Sequence, residues 1–440
     1  MPERNHDDDR LNPPAPSLRQ RLRSVALTHQ LGPGLITGAA DDDPSGIATY
    51  SQGGAQFGFG LLWTLVLTFP LMAAIQLVSA HIGRITGKGL AKNMAQVMPS
   101  WLVTTLVALL FVANTINVGA DLAAMGDAAK LVAGFGEHEF TIAFAVVSVL
   151  LQMFVAYKRY ARILTVLTLT LFAYVAVVFM IHLDWSAVGL GMIGVHADLS
   201  PAAATTIVAI FGTTISPYLF FWQSAEEVEE LDHQPNEKPL TEDPEEAPGA
   251  FSRMRIDTLV GMAVSNLVAL AIMISTAATL HAAGKTDVQT AADAARALQP
   301  IAGKFAFLLF SLGIIGTGML AIPVLAGSAA YAVGETRGWK IGLDNKPWEA
   351  VGFYSVIAAA VALGLTIDYS GLDPIKALYW SAVVNGVIAV PMMAAMMFVS
   401  SHKKMMGQFT AGPTLRILGW TSTAVMAAAT VAMIVVAVLG

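Results

Sequence analysis

Cysteine is absent from the 440-residue chain, which excludes disulfides, thiolate metal ligands and cysteine nucleophiles. Charge is scarce as well. Only 13% of the residues are Asp, Glu, Lys or Arg, against about 25% in an ordinary globular domain. That is too little to cover a soluble protein of this size. The net charge is −6 and no stretch forms a basic domain, so there is no case for nucleic acid as a partner. In place of charge stand hydrophobic residues, 55% of the chain, gathered into long runs. Lipid is the main solvent of such a protein.

A helix that crosses a bilayer needs about 20 mostly apolar residues, because its backbone polar groups must be satisfied within the segment. Eleven such runs are legible, near 32–57, 61–82, 101–127, 140–156, 163–183, 202–223, 258–280, 305–333, 350–367, 375–400 and 415–439. The expected fold class is all-α integral membrane. The first run lies too deep to be a cleaved signal peptide. With the N-terminus on the cytoplasmic side, 20 of the 25 lysines and arginines fall in inside segments, so the C-terminus is expected outside. Residues 1–24 are polar and Pro-rich and read as a disordered tail. Residues 226–246 hold ten acids and one lysine, and are expected to be solvated and largely disordered within a cytoplasmic linker, 226–256. The run AADAARALQ (291–299) predicts a short external helix.

The first span is interrupted. An apolar stretch, 31–40, meets Asp41-Asp42-Asp43-Pro44-Ser45-Gly46 before small and apolar residues resume at Ile47. Three carboxylates at membrane depth are costly against lipid. Pro44 removes a backbone donor and Gly46 permits irregular dihedrals, so the helix is expected to open there and free carbonyls. Irregular backbone at that depth is tolerated only where it faces protein or a water-filled cavity. The sixth span repeats the pattern at Gly212-Thr213-Thr214-Ile215-Ser216-Pro217. Two interrupted helices five spans apart point to two five-helix units. Since five is odd, the units lie in opposite orientations. This is the LeuT-type inverted repeat of secondary transporters, with a midplane site between the broken helices. The expected divisions are 25–184 for the first repeat, 185–225 for an external loop and the broken sixth helix, 257–400 for the rest of the second repeat, and 401–440 for the eleventh helix.

In the third span, Asn114, Asn117 and Asp121 share one helical face. The two asparagines suit an interhelical hydrogen-bond seam as well as a cavity. Asp121 has no basic partner within its span and reads as a cavity residue. Gln223 and Asn385 are weaker candidates of the same kind. Gly313, Gly316 and Gly318 read as close-packing positions in the eighth span.

At Asp43-Pro44-Ser45-Gly46, followed by Gln52-Gly53-Gly54-Ala55-Gln56-Phe57-Gly58 and Leu61-Leu62-Trp63, the sequence resembles the Nramp divalent-metal transporters. Their first helix breaks at Asp-Pro-Gly-Asn and continues into a similar stretch. The run 212–217 is similar to their sixth-helix Gly-Ala-Thr-x-Met-Pro-His. The resemblance implies that Asp43 is the metal-binding aspartate, helped by Asp42 or Asp41 and by carbonyls near Ala40 and Thr213. The departures are specific. The family's Asn falls on Gly46, its Met on Ser216, its two sixth-helix histidines on Tyr218 and Gln223, and its third-helix Glu on Ala124. The ninth span holds no arginine. In these respects the chain is similar to the Nramp-related magnesium transporters.

A thioether favours softer metals, while carboxylate, carbonyl and water suit Mg²⁺, Ca²⁺ and Mn²⁺. Losing the Met leaves hard oxygens from Ser216 and Thr214, and losing the Asn side chain is expected to open space at Gly46 for a more hydrated ion. The expectation is a divalent-cation carrier for Mg²⁺ or Mn²⁺, with Fe²⁺ as a further cargo. Weak or no proton coupling is expected, since Tyr218, Gln223 and Ala124 offer no relay. The expected partners are the cation and a bacterial plasma membrane, with no cofactor, no obligate protein partner and no enzymatic activity. An organic-cation or amino-acid carrier, a metal sensor that does not transport, and an intramembrane aspartyl protease built on Asp43 and Asp121 are the competing readings.

Overall fold

A computed structural model describes residues 33–155, 164, 166–195, 200–233 and 237–439 of the chain. The tail expected at 1–24 lies outside them. Every regular element among the described residues is a helix. The main ones are α1 (Pro33–Asp41), α2 (Pro44–Phe57), α3 (Leu62–Thr86), α4 (Leu90–Val97), α5 (Ser100–Ala133), α6 (Glu137–Phe154), α7 (Phe172–Met180) and α8 (Trp185–Met192). They continue as α9 (Pro201–Thr214), α10 (Pro217–His233), α11 (Ala247–Thr276), α12 (Ala291–Ala295), α13 (Ala306–Arg337), α14 (Val351–Asp368), α15 (Pro374–Ser400) and α16 (Pro413–Leu439).

Nine helical stretches among the described residues are long and apolar enough to cross a membrane. The two other expected spans are present in shorter pieces. The first is split into α1 and α2, and a shorter apolar helix, Val166–Met180, stands in the fifth. The outer face is what lipid requires: α16 exposes Ile417, Val431, Ile434, Val435 and Val438.

Both predicted breaks are present. α1 ends at Asp41 and α2 begins at Pro44, with Asp43 as its N-cap and Pro at the first helical position, where a missing N–H costs nothing. α9 ends at Thr214 and α10 begins at Pro217. The pieces are held by backbone-close packing. A Cβ on Gly38 of α1 would lie 2.4 Å from the Gly261 backbone of α11, and one on Gly212 of α9 would lie 2.0 Å from the Ala382 carbonyl oxygen of α15. Small residues at these crossings are therefore obligatory. Gly316 and Gly318 act as expected, the former against Leu167 and the latter against Met125.

The predicted short helix appears as α12, opened by a capping box between Thr290 and Asp293. The acidic segment differs from expectation. α10 runs on through Glu226–Glu230 to His233, and Glu226 and Glu227 are buried. Arg253 of α11 pairs with Glu227 at 3.3 Å and Glu230 at 2.7 Å, and Arg84 of α3 pairs with Glu237. Leu240 and Thr241 donate backbone hydrogen bonds to the carbonyls of Arg84 and Ile85. Composition suggested a solvated run because the acids are consecutive, whereas their basic partners come from helices far away in sequence.

Candidate functional site

The two breaks face each other. Tyr218, in the first turn of α10, reaches across with its hydroxyl 3.3 Å from the Ala40 carbonyl oxygen and 3.3 Å from Asp43 Oδ2. Thr213 brings its Oγ1 to 3.1 Å from where a Cβ on Gly46 would lie, beside the Tyr50 ring at 3.2 Å. The space expected at Gly46 is thus already lined on two sides.

Asp43 is the most heavily bonded of the three acids at the first break. Its Oδ1 accepts from the Gly46 N–H at 2.8 Å and from Ser45 Oγ at 2.6 Å, so it caps α2. Its Oδ2 accepts from Asn117 Nδ2 at 3.0 Å. Asn117 also stands 3.4 Å from Asp121 Oδ2, so one amide bridges the two carboxylates. On its other side, Asn117 Oδ1 accepts from Ser381 Oγ at 2.7 Å and Asn385 Nδ2 at 3.5 Å, both on α15.

Asp41 and Asp42 face a different neighbour. Ser265 Oγ of α11 lies 2.6 Å from Asp41 Oδ2 and 3.1 Å from Asp42 Oδ1. The run of three acids therefore divides between two sides of the break. No three acidic or imidazole groups among the described residues converge as a single cage.

All four carboxylates are buried, with exposures of 0% for Asp41, 5% for Asp42, 1% for Asp43 and 0% for Asp121. None pairs with a Lys, Arg or His among the described residues. Asp41 Oδ1, Asp121 Oδ1, Thr213 Oγ1 and Asn385 Oδ1 are buried without a hydrogen-bond partner among the described residues. Buried charge left uncompensated costs several kcal/mol per group. An arrangement of oxygen acceptors with no cation of its own matches the donor set preferred by hard divalent cations.

The other sequence candidates sort by contact. Ser216 and Thr214 turn their hydroxyls back on their own helix: Ser216 donates to the Gly212 and Thr213 carbonyls at 2.7 and 2.9 Å, and Thr214 to Ile210 at 2.8 Å. They satisfy carbonyls released by the break. Asn114 donates to the Leu325 carbonyl at 2.8 Å and Ser328 Oγ at 2.9 Å, fastening α5 to α13. Gln223 accepts from Thr37 Oγ1 at 2.6 Å and so fastens α10 to α1. Ser265 and Ser381 were not singled out by sequence. Ser381 precedes Asn385 by one helical turn, a spacing that could have marked it, but a lone serine such as Ser265 in an apolar helix carries no such mark.

Known transporters are similar to the chain over most of its length. The divalent metal cation transporter MntH of Yersinia pestis (strain Pestoides F) is 27% identical over 417 residues, covering 91% of this chain and 93% of that protein. The MntH of Pectobacterium carotovorum is 25% identical over 410 residues, covering 92% and 93%. Among solved structures, the Eremococcus coleocola manganese transporter superposes with a TM-score of 0.69 at 16% identity, covering 92% of this chain and 85% of that one. Mhp1, a nucleobase-cation-symport-1 family transporter, superposes with a TM-score of 0.57 at 14% identity, covering 93% of each chain. These two structures share the LeuT-type fold read from the paired breaks. The family model described as natural resistance-associated macrophage protein-like matches residues 34–436, from the first broken helix into the last span, and the chain belongs to the Nramp family.

Proposed function

We propose that this protein carries divalent metal cations, Mg²⁺ or Mn²⁺ with Fe²⁺ as a further cargo, across a membrane by alternating access. The observation that carries the reading is the set of four buried carboxylates at and beside the first break, with no basic residue paired to any of them among the described residues. Relatives named for divalent metal and manganese transport support it. In this reading Asp43 is the principal ligand. The cation displaces the hydrogen bonds that Asn117 and Tyr218 make to Asp43 Oδ2, and the Ala40 carbonyl and Thr213 hydroxyl complete an all-oxygen shell with retained water. Ser216 stands where the family has a thioether, so preference moves to harder ions.

In this reading coupling is weak or absent, because beyond Asp121 the family's relay positions hold residues that do not titrate near neutral pH. Intramembrane proton relays are built from Asp, Glu and His. Tyr218 and Gln223 occupy the family's histidine positions, and Ala124 the glutamate position. The driving force is then the metal gradient plus the membrane potential, worth about 2.3 kcal/mol per charge per 100 mV. In proteoliposomes, Mn²⁺ or Mg²⁺ influx is expected to rise with an imposed inside-negative potential while internal pH stays nearly flat. Internal acidification that tracks influx and disappears in Asp121→Asn would overturn uncoupled transport.

A further inference from the structure

The division of the acids at the first break leads to a second site. We propose that Asp41, Asp42 and Ser265 form a separate cation station that holds a hydrated divalent ion next to, and distinct from, the one at Asp43. The proposal rests on the carrier reading above and deepens it.

Donors are too few for the acids on this side of the break. Ser265 has one hydroxyl hydrogen, yet its oxygen lies within hydrogen-bond reach of both Asp41 Oδ2 and Asp42 Oδ1. Among the described residues one donor therefore serves two buried carboxylates, whereas Asp43 alone accepts from four groups. The Asp41 side chain is fully buried, and its Oδ1 has no hydrogen-bond partner among the described residues. No Lys, Arg or His among the described residues pairs with either acid.

A second, independent group borders the same break. Tyr50 is buried, its ring packs against Gly46, and its hydroxyl also lacks a partner among the described residues. The Asp41 carbonyl oxygen borders Gly46 as well, 3.6 Å from where a Cβ there would lie, against 3.2 Å for the Tyr50 ring.

Helix electrostatics favours the same sign of ligand. Asp41 is the last residue of α1, and the end of a helix presents unpaired carbonyls and the negative pole of its dipole. Two carboxylates, a hydroxyl, a phenol and free carbonyls are an all-oxygen donor set with two negative charges, which a hard divalent cation neutralises. The four acids thus form two pairs, each bridged by one neutral side chain: Asp43 and Asp121 by Asn117, and Asp41 and Asp42 by Ser265. Two stations on either side of one break give a cation a place to move to when it leaves Asp43.

The test is the binding stoichiometry of Mn²⁺ on the purified full-length chain, read by equilibrium dialysis. The wild type is expected to bind two Mn²⁺ per chain in two steps separated by at least tenfold in affinity, since neighbouring divalent ions repel. Asp43→Asn is expected to retain one, and the double variant Asp41→Asn/Asp42→Asn to retain one. Asparagine keeps an acceptor for Ser265, and Ser265→Ala provides a milder variant that weakens only one of the two steps, about tenfold. Thermal unfolding of Asp43→Asn supplies a second readout, with Mn²⁺ still raising its midpoint. A single Mn²⁺ in the wild type, lost in Asp43→Asn and kept in the double variant, would overturn the second station and leave the carrier reading standing. No Mn²⁺ bound to the wild type would overturn both.

Discussion

Replacing Asp43 with asparagine is expected to lower divalent-cation influx roughly 100-fold while the protein folds and purifies as the wild type does. The choice of asparagine follows from the bonding of the native side chain. Asp43 caps α2 through the Gly46 N–H and holds Ser45, Asn117 and Tyr218. Asparagine is as good an N-cap as aspartate, whereas alanine would lose the cap at a cost of about 1 kcal/mol. What asparagine removes is the charge. Deleting one partner of a buried charge pair typically costs about 2–5 kcal/mol, and each 1.4 kcal/mol is about a tenfold change in binding. Initial rates of Mn²⁺ influx, with thermal unfolding as the folding control, check the expectation. Influx within twofold of wild type would mean that Asp43 is not the principal ligand.

Gly212→Val is expected to be nearly as severe, for a different reason. A Cβ at residue 212 would lie 2.0 Å from the Ala382 carbonyl oxygen and 2.4 Å from the Gly386 amide nitrogen, so α9 and α15 touch through their backbones. A flexible side chain could move aside, but two helix backbones cannot without separating. Overpacking typically costs about 1–3 kcal/mol and occasionally more, and a clash between two backbones lies at the upper end. The damage reaches the site, because α15 carries Ser381 and Asn385, which hold Asn117, which in turn holds Asp43. The expected result is loss of most monodisperse protein on size-exclusion chromatography and a clear fall in the unfolding temperature. Gly249→Ala is the control, since a Cβ there meets nothing within 4 Å. Equal elution and unfolding of Gly212→Val and wild type would refute the close crossing.

The parts of this architecture legible in the sequence were those where composition conflicts with lipid. Asp41–Asp43 between apolar runs, followed by Pro44 and Gly46, marked the first break, and Gly212 and Pro217 marked the second. Helical spacing put Asn117 and Asp121 on one face, and they do share a bridge. The same spacing could not separate Asn114, which turns to α13 instead. The division of Asp41 and Asp42 from Asp43 was not legible either. Residues at a break follow neither helical nor strand periodicity, so their directions are set by neighbours such as Ser265 and Tyr218 from distant spans. The acidic run after Gln223 misled for a related reason: its partners, Arg84 and Arg253, are remote in sequence.

A carrier of divalent metal is told apart from an organic-cation carrier on the same scaffold by its cargo. The most direct measurement is Mn²⁺ influx into proteoliposomes holding the wild-type chain, in the presence of excess Mg²⁺ or of an excess of organic amines. A metal carrier with the all-oxygen site at Asp43 predicts influx well above protein-free liposomes, suppressed by Mg²⁺ and indifferent to the amines. Influx no greater than in protein-free liposomes, or amine accumulation that Mn²⁺ does not inhibit, would contradict it.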